Sequence, residues 1–159
     1  MIRITDALTI EHVTIRTVFS QIENVLTKLE RLEDVKAMAS MVEALLEQHG
    51  EVEEHLLYVV LDHALAEVGK LEFMSQEHGE IDQRLASIQS ATDLETARRM
   101  LRAVMNYSRK HFQNEELNVF PVIHQRISED ALKALGEAWY IKQTMFEGPS
   151  ARQKVKAVQ

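Results

Sequence analysis

The sequence predicts an all-α fold, an antiparallel up-down-up-down four-helix bundle with a short fifth C-terminal helix. Three observations predict it. Four long stretches repeat apolar residues at alternating steps of three and four, the spacing of a buried bundle seam. The connections between them are short, which makes successive helices antiparallel neighbours. Only five glycines and two prolines interrupt 159 residues, of which 45% are hydrophobic and 27% charged, the balance of a helix-rich globule.

The first helix is expected to start after Thr5 or Asp6, either of which can cap it. Its seam reads Leu8, His12, Ile15, Phe19, Ile22, Leu26 and Leu29, widened by Val18 and Val25. The polar residues 30–34 make the first turn. The second helix is predicted over about 34–67, with Gly69 as a stop. Its seam is Val42, Leu46, His49, Glu53, Leu56, Val60 and His63, and its length makes a break after Leu61 a natural expectation. The third helix carries Leu71, Met74, His78, Ile81, Leu85 and Ile88. Residues 90–93 turn the chain, and Thr92 or Asp93 caps the fourth helix. That helix has the seam Leu94, Ala97, Leu101, Val104, Ser108, His111 and Glu115, and Pro121 ends or kinks it. The fifth begins at Ser128, with Glu129 and Asp130 suiting the positive end of the helix dipole, and runs to about Tyr140. Residues 1–145 are thus expected to form one domain, and 146–159, which follow on from the last helix and hold Gly148-Pro149, a flexible tail.

Composition excludes several chemistries. With no cysteine, there are no disulfides, Cys-ligated zinc, iron–sulfur clusters or thiol catalysis. A formal charge of −7 argues against nucleic acid or an anionic membrane as a partner. No apolar run reaches the length of a membrane span, and the N-terminal residues lack a signal-peptide pattern, so a cytoplasmic location is expected.

The informative conflict lies inside the seams. Each long helix places one histidine where an apolar residue belongs: His12, His49, His78 and His111. On the second and fourth helices a glutamate follows four residues later, Glu53 and Glu115, on the same face. With 25 acidic residues and seven histidines, any one such pair is weak evidence, and His63–Glu67 reads as a helix-end pair. One seam histidine per helix, with two glutamates beside them, is not. His12 lies ~30 Å of helix to one side of the first turn, and His49 and Glu53 lie ~22 to 28 Å to the other, so they meet at one level. A buried carboxylate is costly unless paired, hydrogen-bonded or metal-bound. Imidazole suits iron, copper and zinc, and carboxylates can bridge two ions, so the six residues have the content of a dinuclear site inside a bundle. Around them, Asp82 is expected to accept a hydrogen bond from a ligand histidine, with a place as a seventh ligand the alternative. His55, His124, Glu54 and Glu116 are expected at the solvated surface, and Tyr107 as packing with a wet tip.

The segments TIEH ending at His12, HGEVEEHLL with His49 and Glu53, SQEH ending at His78, and HFQNEELNVFP with His111, Glu115 and Pro121 resemble the hemerythrin-like family, the HHE cation-binding domains. The resemblance covers about residues 5–122. It implies a four-helix bundle around two iron ions in a non-haem centre, with the two glutamates bridging, and a small diatomic or peroxide ligand. Four positions before His78, where oxygen-carrying hemerythrins have a second histidine, this chain has Met74. Relatives with four histidines and two glutamates include proteins that repair iron–sulfur centres. Reaction with O2, NO or peroxide is therefore the first expectation, and an iron reservoir or donor the alternative. The residues do not choose between a carrier, a sensor and an enzyme.

Overall fold

The computed structural model describes residues 1–58 and 70–144, with backbone alone for 70–74. Helix α1 spans Ile4–Leu26, α2 Leu32–Val52, α3 Lys70–Gln89 and α4 Leu94–Asn114. A π-helical segment, Glu53–Tyr58, extends α2, and a second, Glu115–Val119, extends α4 into the short α5, Phe120–Arg126. Helix α6 spans Glu129–Thr144. Among the described residues there is no strand. The expected tail and the His63–Glu67 pair lie outside the described residues, as does the side chain of Met74.

Helices α1 to α4 pack as the bundle, with α3 against α2 and α4, and α1 against α2 and α4. The predicted seams are the buried stripes: Leu8, His12, Ile15, Phe19, Ile22 and Leu26 are all buried on α1. The apolar core is in two parts. One holds Ile15, Phe19, Val42, Leu46, Ile81, Leu85 and Leu101, and the other Ile4, Leu8, Val52, Leu57, Val119 and Phe120. Read along α1, α2 and α4, the seam histidines and glutamates fall between these two parts, as a polar layer across the bundle.

Three boundaries differ from the sequence reading. Helix α1 starts at Ile4, ahead of Thr5 and Asp6. Asp6 instead binds the guanidinium of Arg3 at 2.8 and 2.9 Å, and the Thr5 hydroxyl meets His124 Nε2 at 2.7 Å. On α2 the stripe continues at Leu57, which is fully buried, with Leu56 only partly so. The cause is the π-helical segment. Its i→i+5 bonding puts an extra residue into the turn and slips the seam by one. Pro121 does not end the fourth helix. The wider second π-segment precedes it, and Pro121 falls in the first turn of α5, where its missing N–H costs no helical bond. At the start of α4, Asp93 is the cap, accepting from the Thr96 N–H at 2.8 Å.

Helix α6 packs against α1 and the first π-segment. Ser128 caps it, accepting from the Ala131 N–H at 3.3 Å. Gly136 is there because backbone crosses it: a Cβ at this position would stand 2.0 Å from the carbonyl oxygen of Ile2. Gly136→Ala is therefore expected to destabilise the fold by about 1–3 kcal/mol, as overpacking does. Chemical denaturation reads this directly, and an unchanged midpoint would show that α6 does not dock on the N-terminal segment.

Candidate metal centre

Five of the six residues that broke the apolar pattern are essentially shut off from solvent. His12, His49, Glu53, His111 and Glu115 are 0–3% exposed, and the side chain of His78 is 13% exposed. The structure brings all six together. His12 Nε2 and His49 Nε2 are 3.1 Å apart, and His78 Nε2 and His111 Nε2 are 2.9 Å apart. The two glutamates lie between these pairs. One oxygen of Glu53 is 3.2 Å from His49 Nε2 and the other 3.3 Å from His78 Nε2. One oxygen of Glu115 is 3.2 Å from His12 Nε2 and the other 3.4 Å from His111 Nε2. The result is two overlapping groups of four, His12–His49–Glu53–Glu115 and Glu53–His78–His111–Glu115, sharing both carboxylates.

Each imidazole is held from behind by a carboxylate. His12 Nδ1 meets Glu116 at 2.8 Å, His49 Nδ1 meets Glu11 at 2.8 Å, and His111 Nδ1 meets Glu77 at 2.8 Å. His78 Nδ1 meets Glu54 at a longer 3.4 Å. The pattern is cyclic. Helix α1 supplies Glu11 to the histidine of α2, the end of α2 supplies Glu54 to α3, α3 supplies Glu77 to α4, and the end of α4 supplies Glu116 to α1. Each of these glutamates is the sequence neighbour of an inward-facing residue. One residue is about 100° of rotation, so such a neighbour faces the adjacent helix. A step back on α1 or α3 and a step forward on α2 or α4 turn the same way, because the helices are antiparallel.

This ring corrects the sequence reading. Glu54 and Glu116 are partners of His78 and His12, not merely solvated residues. Asp82, expected behind a histidine, instead lines the cleft beside His78, and Glu54 takes its place. The detectable signal was adjacency to an inward-facing residue, not an i+4 spacing. Tyr58 was also missed. It is buried beside His78, its ring centroid 6.1 Å away, and its hydroxyl has no hydrogen-bond partner. Burial, together with the charges of Glu53 and Glu115, pushes that hydroxyl well above the usual phenol range, so it stays protonated. Tyr107 is packing, with the Arg84 guanidinium 4.8 Å above its ring. His55 and His124 lie at the surface.

The electrostatics are those of a site built for positive charge. Burial alone would neutralise Glu53, but the charge of His49 and the imidazoles of His12, His49 and His78 that face it hold it well below the usual carboxylate range. Burial and the charge of Glu53 push Glu115 well above it. Two carboxylates this close do not both ionise without a compensating cation. Burial depresses His49, yet Glu53 and Glu11 outweigh it and hold the imidazolium up to about 9. Burial, with the charge of His78 beside it, pulls His111 down.

These residues fit metal ions. All four carboxylate oxygens of Glu53 and Glu115 are buried without a hydrogen-bond partner, an arrangement costly enough to require another partner. With each Nδ1 proton directed at an outer carboxylate, the Nε2 lone pairs converge on the same space, as metal-ligating histidines do. Fold and site together define a four-helix-bundle protein whose core can hold metal cations on four histidines and two shared glutamates. The chain belongs to the hemerythrin family: the family described as Hemerythrin HHE cation binding domain matches residues 3–123. Comparison with curated proteins and with solved structures finds no match. Among the described residues, no helix is long and apolar enough to cross a membrane.

Proposed function

We propose that the protein holds two iron ions in a non-haem centre and there binds or reacts with O2, NO or peroxide. The observation that carries this reading is the sharing of both glutamates between the two histidine pairs, each carboxylate offering one oxygen to each side. Each side then has two imidazole nitrogens and two carboxylate oxygens, a mixed set that suits iron. Four donors leave room for a small ligand, since an octahedral ion takes about six. When bound, such a pair supplies a redox couple and open coordination positions.

The chain's own residues set what reaches the centre. A cleft of about 110 Å³ opens beside α2 and α3, with His49, His78 and His111 in its lining. A water molecule needs only about 10–15 Å³ of such space, so a diatomic molecule or peroxide fits with room to spare. Ile81 and Phe112 line it with apolar surface, and Glu54 and Asp82 with carboxylates. Gly50 leaves space in the lining, since a methyl group there would sit in van der Waals contact with the His78 ring, 3.5 Å from Nδ1. The Tyr58 ring stacks beside His78, and its buried hydroxyl stays protonated at neutral pH. The near-complete burial of five of the six residues favours retention of the ions over their donation to other proteins.

Azide titration of the oxidised, iron-loaded protein tests this reading. A saturable ligand-to-metal absorption band is expected, with a matching optical change when O2 or NO meets the reduced form. No spectral response to any of the three would mean that the centre is closed, and would overturn the ligand-binding role.

A further inference from the structure

Helix α6 lies beyond the family match, which ends at residue 123, yet it reaches the centre. Its Trp139 Nε1 donates to one oxygen of Glu11 at 2.7 Å, and its Gln143 Nε2 donates to the same oxygen at 2.7 Å. The other oxygen of Glu11 is the partner of His49 Nδ1 at 2.8 Å. Gln143 is itself fixed, its side-chain oxygen accepting from Gln48 Nε2 at 2.8 Å. Trp139 and Gln143 stand one helical turn apart, so a single face of α6 carries both donors.

We propose that Trp139 and Gln143 are positioning residues for the cation site: through Glu11 they fix His49, so that docking of α6 and binding of the ions strengthen each other. This rests on reading the six buried residues as a cation site. The physical need is specific. A groove of about 370 Å³, lined by Glu11, Thr14, Leu45, Gln48, Trp139 and Gln143, opens beside this carboxylate. A Glu11 without donors would turn to the water there and release His49. Neutral N–H donors fix the carboxylate without cancelling its charge, which leaves it a strong acceptor for the imidazole. Glu116, by contrast, shares its oxygen with Arg16 at 2.9 Å as well as with His12, and so offers His12 a partly neutralised partner. A coupling of this kind is reciprocal by linkage: whatever α6 contributes to ion affinity, the ions return as stability of the docked α6.

The test uses the full chain and ferrous iron alone, under anaerobic conditions. Affinity is measured by chelator competition for wild type, Trp139→Phe, Gln143→Leu and the double variant, and for the same set in a Glu11→Gln background. Amide exchange of α6 is followed with and without the ion. The double variant is expected to bind about tenfold more weakly, the lower end of what outer partners of metal ligands contribute. In the Glu11→Gln background the same pair should change affinity by less than about twofold, since coupled residues are not additive. Ferrous iron should slow exchange in α6 of wild type but not of Glu11→Gln. Unchanged affinity in the double variant would overturn the proposal, and so would an equal loss in both backgrounds, which marks a packing effect. Should the double variant fail to fold, Trp139→Phe, which keeps a ring and removes only the N–H, and the exchange of wild-type α6 decide. A wild type that binds no ferrous iron refutes the cation site itself, and this inference with it. A wild type that binds while its variants match it refutes the inference alone.

Discussion

Replacing Glu53 or Glu115 with glutamine is expected to cost both metal ions, whereas replacing one histidine with alanine weakens chiefly one. The difference follows from sharing. Each carboxylate places one oxygen against each histidine pair, so its loss removes a charged donor from both sides at once. Iron content should fall from about two ions per chain to below one in either glutamine variant, as for a binuclear site that depends on both carboxylates. The metal-free forms should then diverge in stability. Glu53 is held ionised by its histidine neighbours, so Glu53→Gln leaves buried imidazoles unpaired and destabilises the apo fold by about 3–5 kcal/mol, the cost of breaking a buried ion pair. Glu115 is held neutral beside Glu53, so Glu115→Gln replaces one uncharged group with another and is expected to leave apo stability nearly unchanged. Metal analysis with thermal melting of the apo variants reads both results. Equal destabilisation by the two would show that the charge assignment is wrong.

Removing the ions from the wild type is expected to lower its melting temperature by about 10 °C. A ligand present at a hundred to a thousand times its dissociation constant adds about 3–4 kcal/mol of stability. For a domain of this size each kcal/mol is about 2–4 °C. The gap should widen with pH. His49 is raised to about 9 in the fold, so its protonation stabilises the apo protein fully below the ordinary histidine value, ~6.5. That contribution is lost as pH rises through about 9. Glu115, also raised, acts in the same sense: it favours the fold while neutral and disfavours it once ionised. Ion binding must displace the His49 proton, so affinity increases over the same range in which apo stability declines. Calorimetric melting of apo and loaded protein between pH 6.5 and 9 checks this, and a gap that narrows with rising pH would contradict it.

The bundle was legible because helix periodicity is strong in four separate stretches, and the six inward residues were legible because they violate it. The level at which His12 meets His49 and Glu53 followed from counting helical rise from the first turn. The outer glutamates were not legible by the same logic. Glu11, Glu54, Glu77 and Glu116 sit where a polar residue on a bundle flank excites no suspicion, and only the pairing of adjacent helices gives each a partner. Asp82 drew attention through its i+4 spacing from His78, but the Nδ1 of that ring faces α2 and finds Glu54 instead. The π-helical segments were equally hidden. Leu56 and Leu57 are both leucine, so the slip of the seam leaves no mark on composition. Tyr58 came into place only through that slip, and Trp139 and Gln143 lie more than 120 residues from the Glu11 that they hold.

The most direct measurement is an anomalous difference map, collected at the iron edge, from crystals of protein loaded with ferrous iron. Two peaks are predicted, roughly 3.5–4 Å apart as in other two-metal sites. One should be bounded by His12 and His49, the other by His78 and His111, with Glu53 and Glu115 between them. A single peak, or peaks at the surface histidines His55 or His124 with the core empty, would contradict the shared-carboxylate centre on which this account rests.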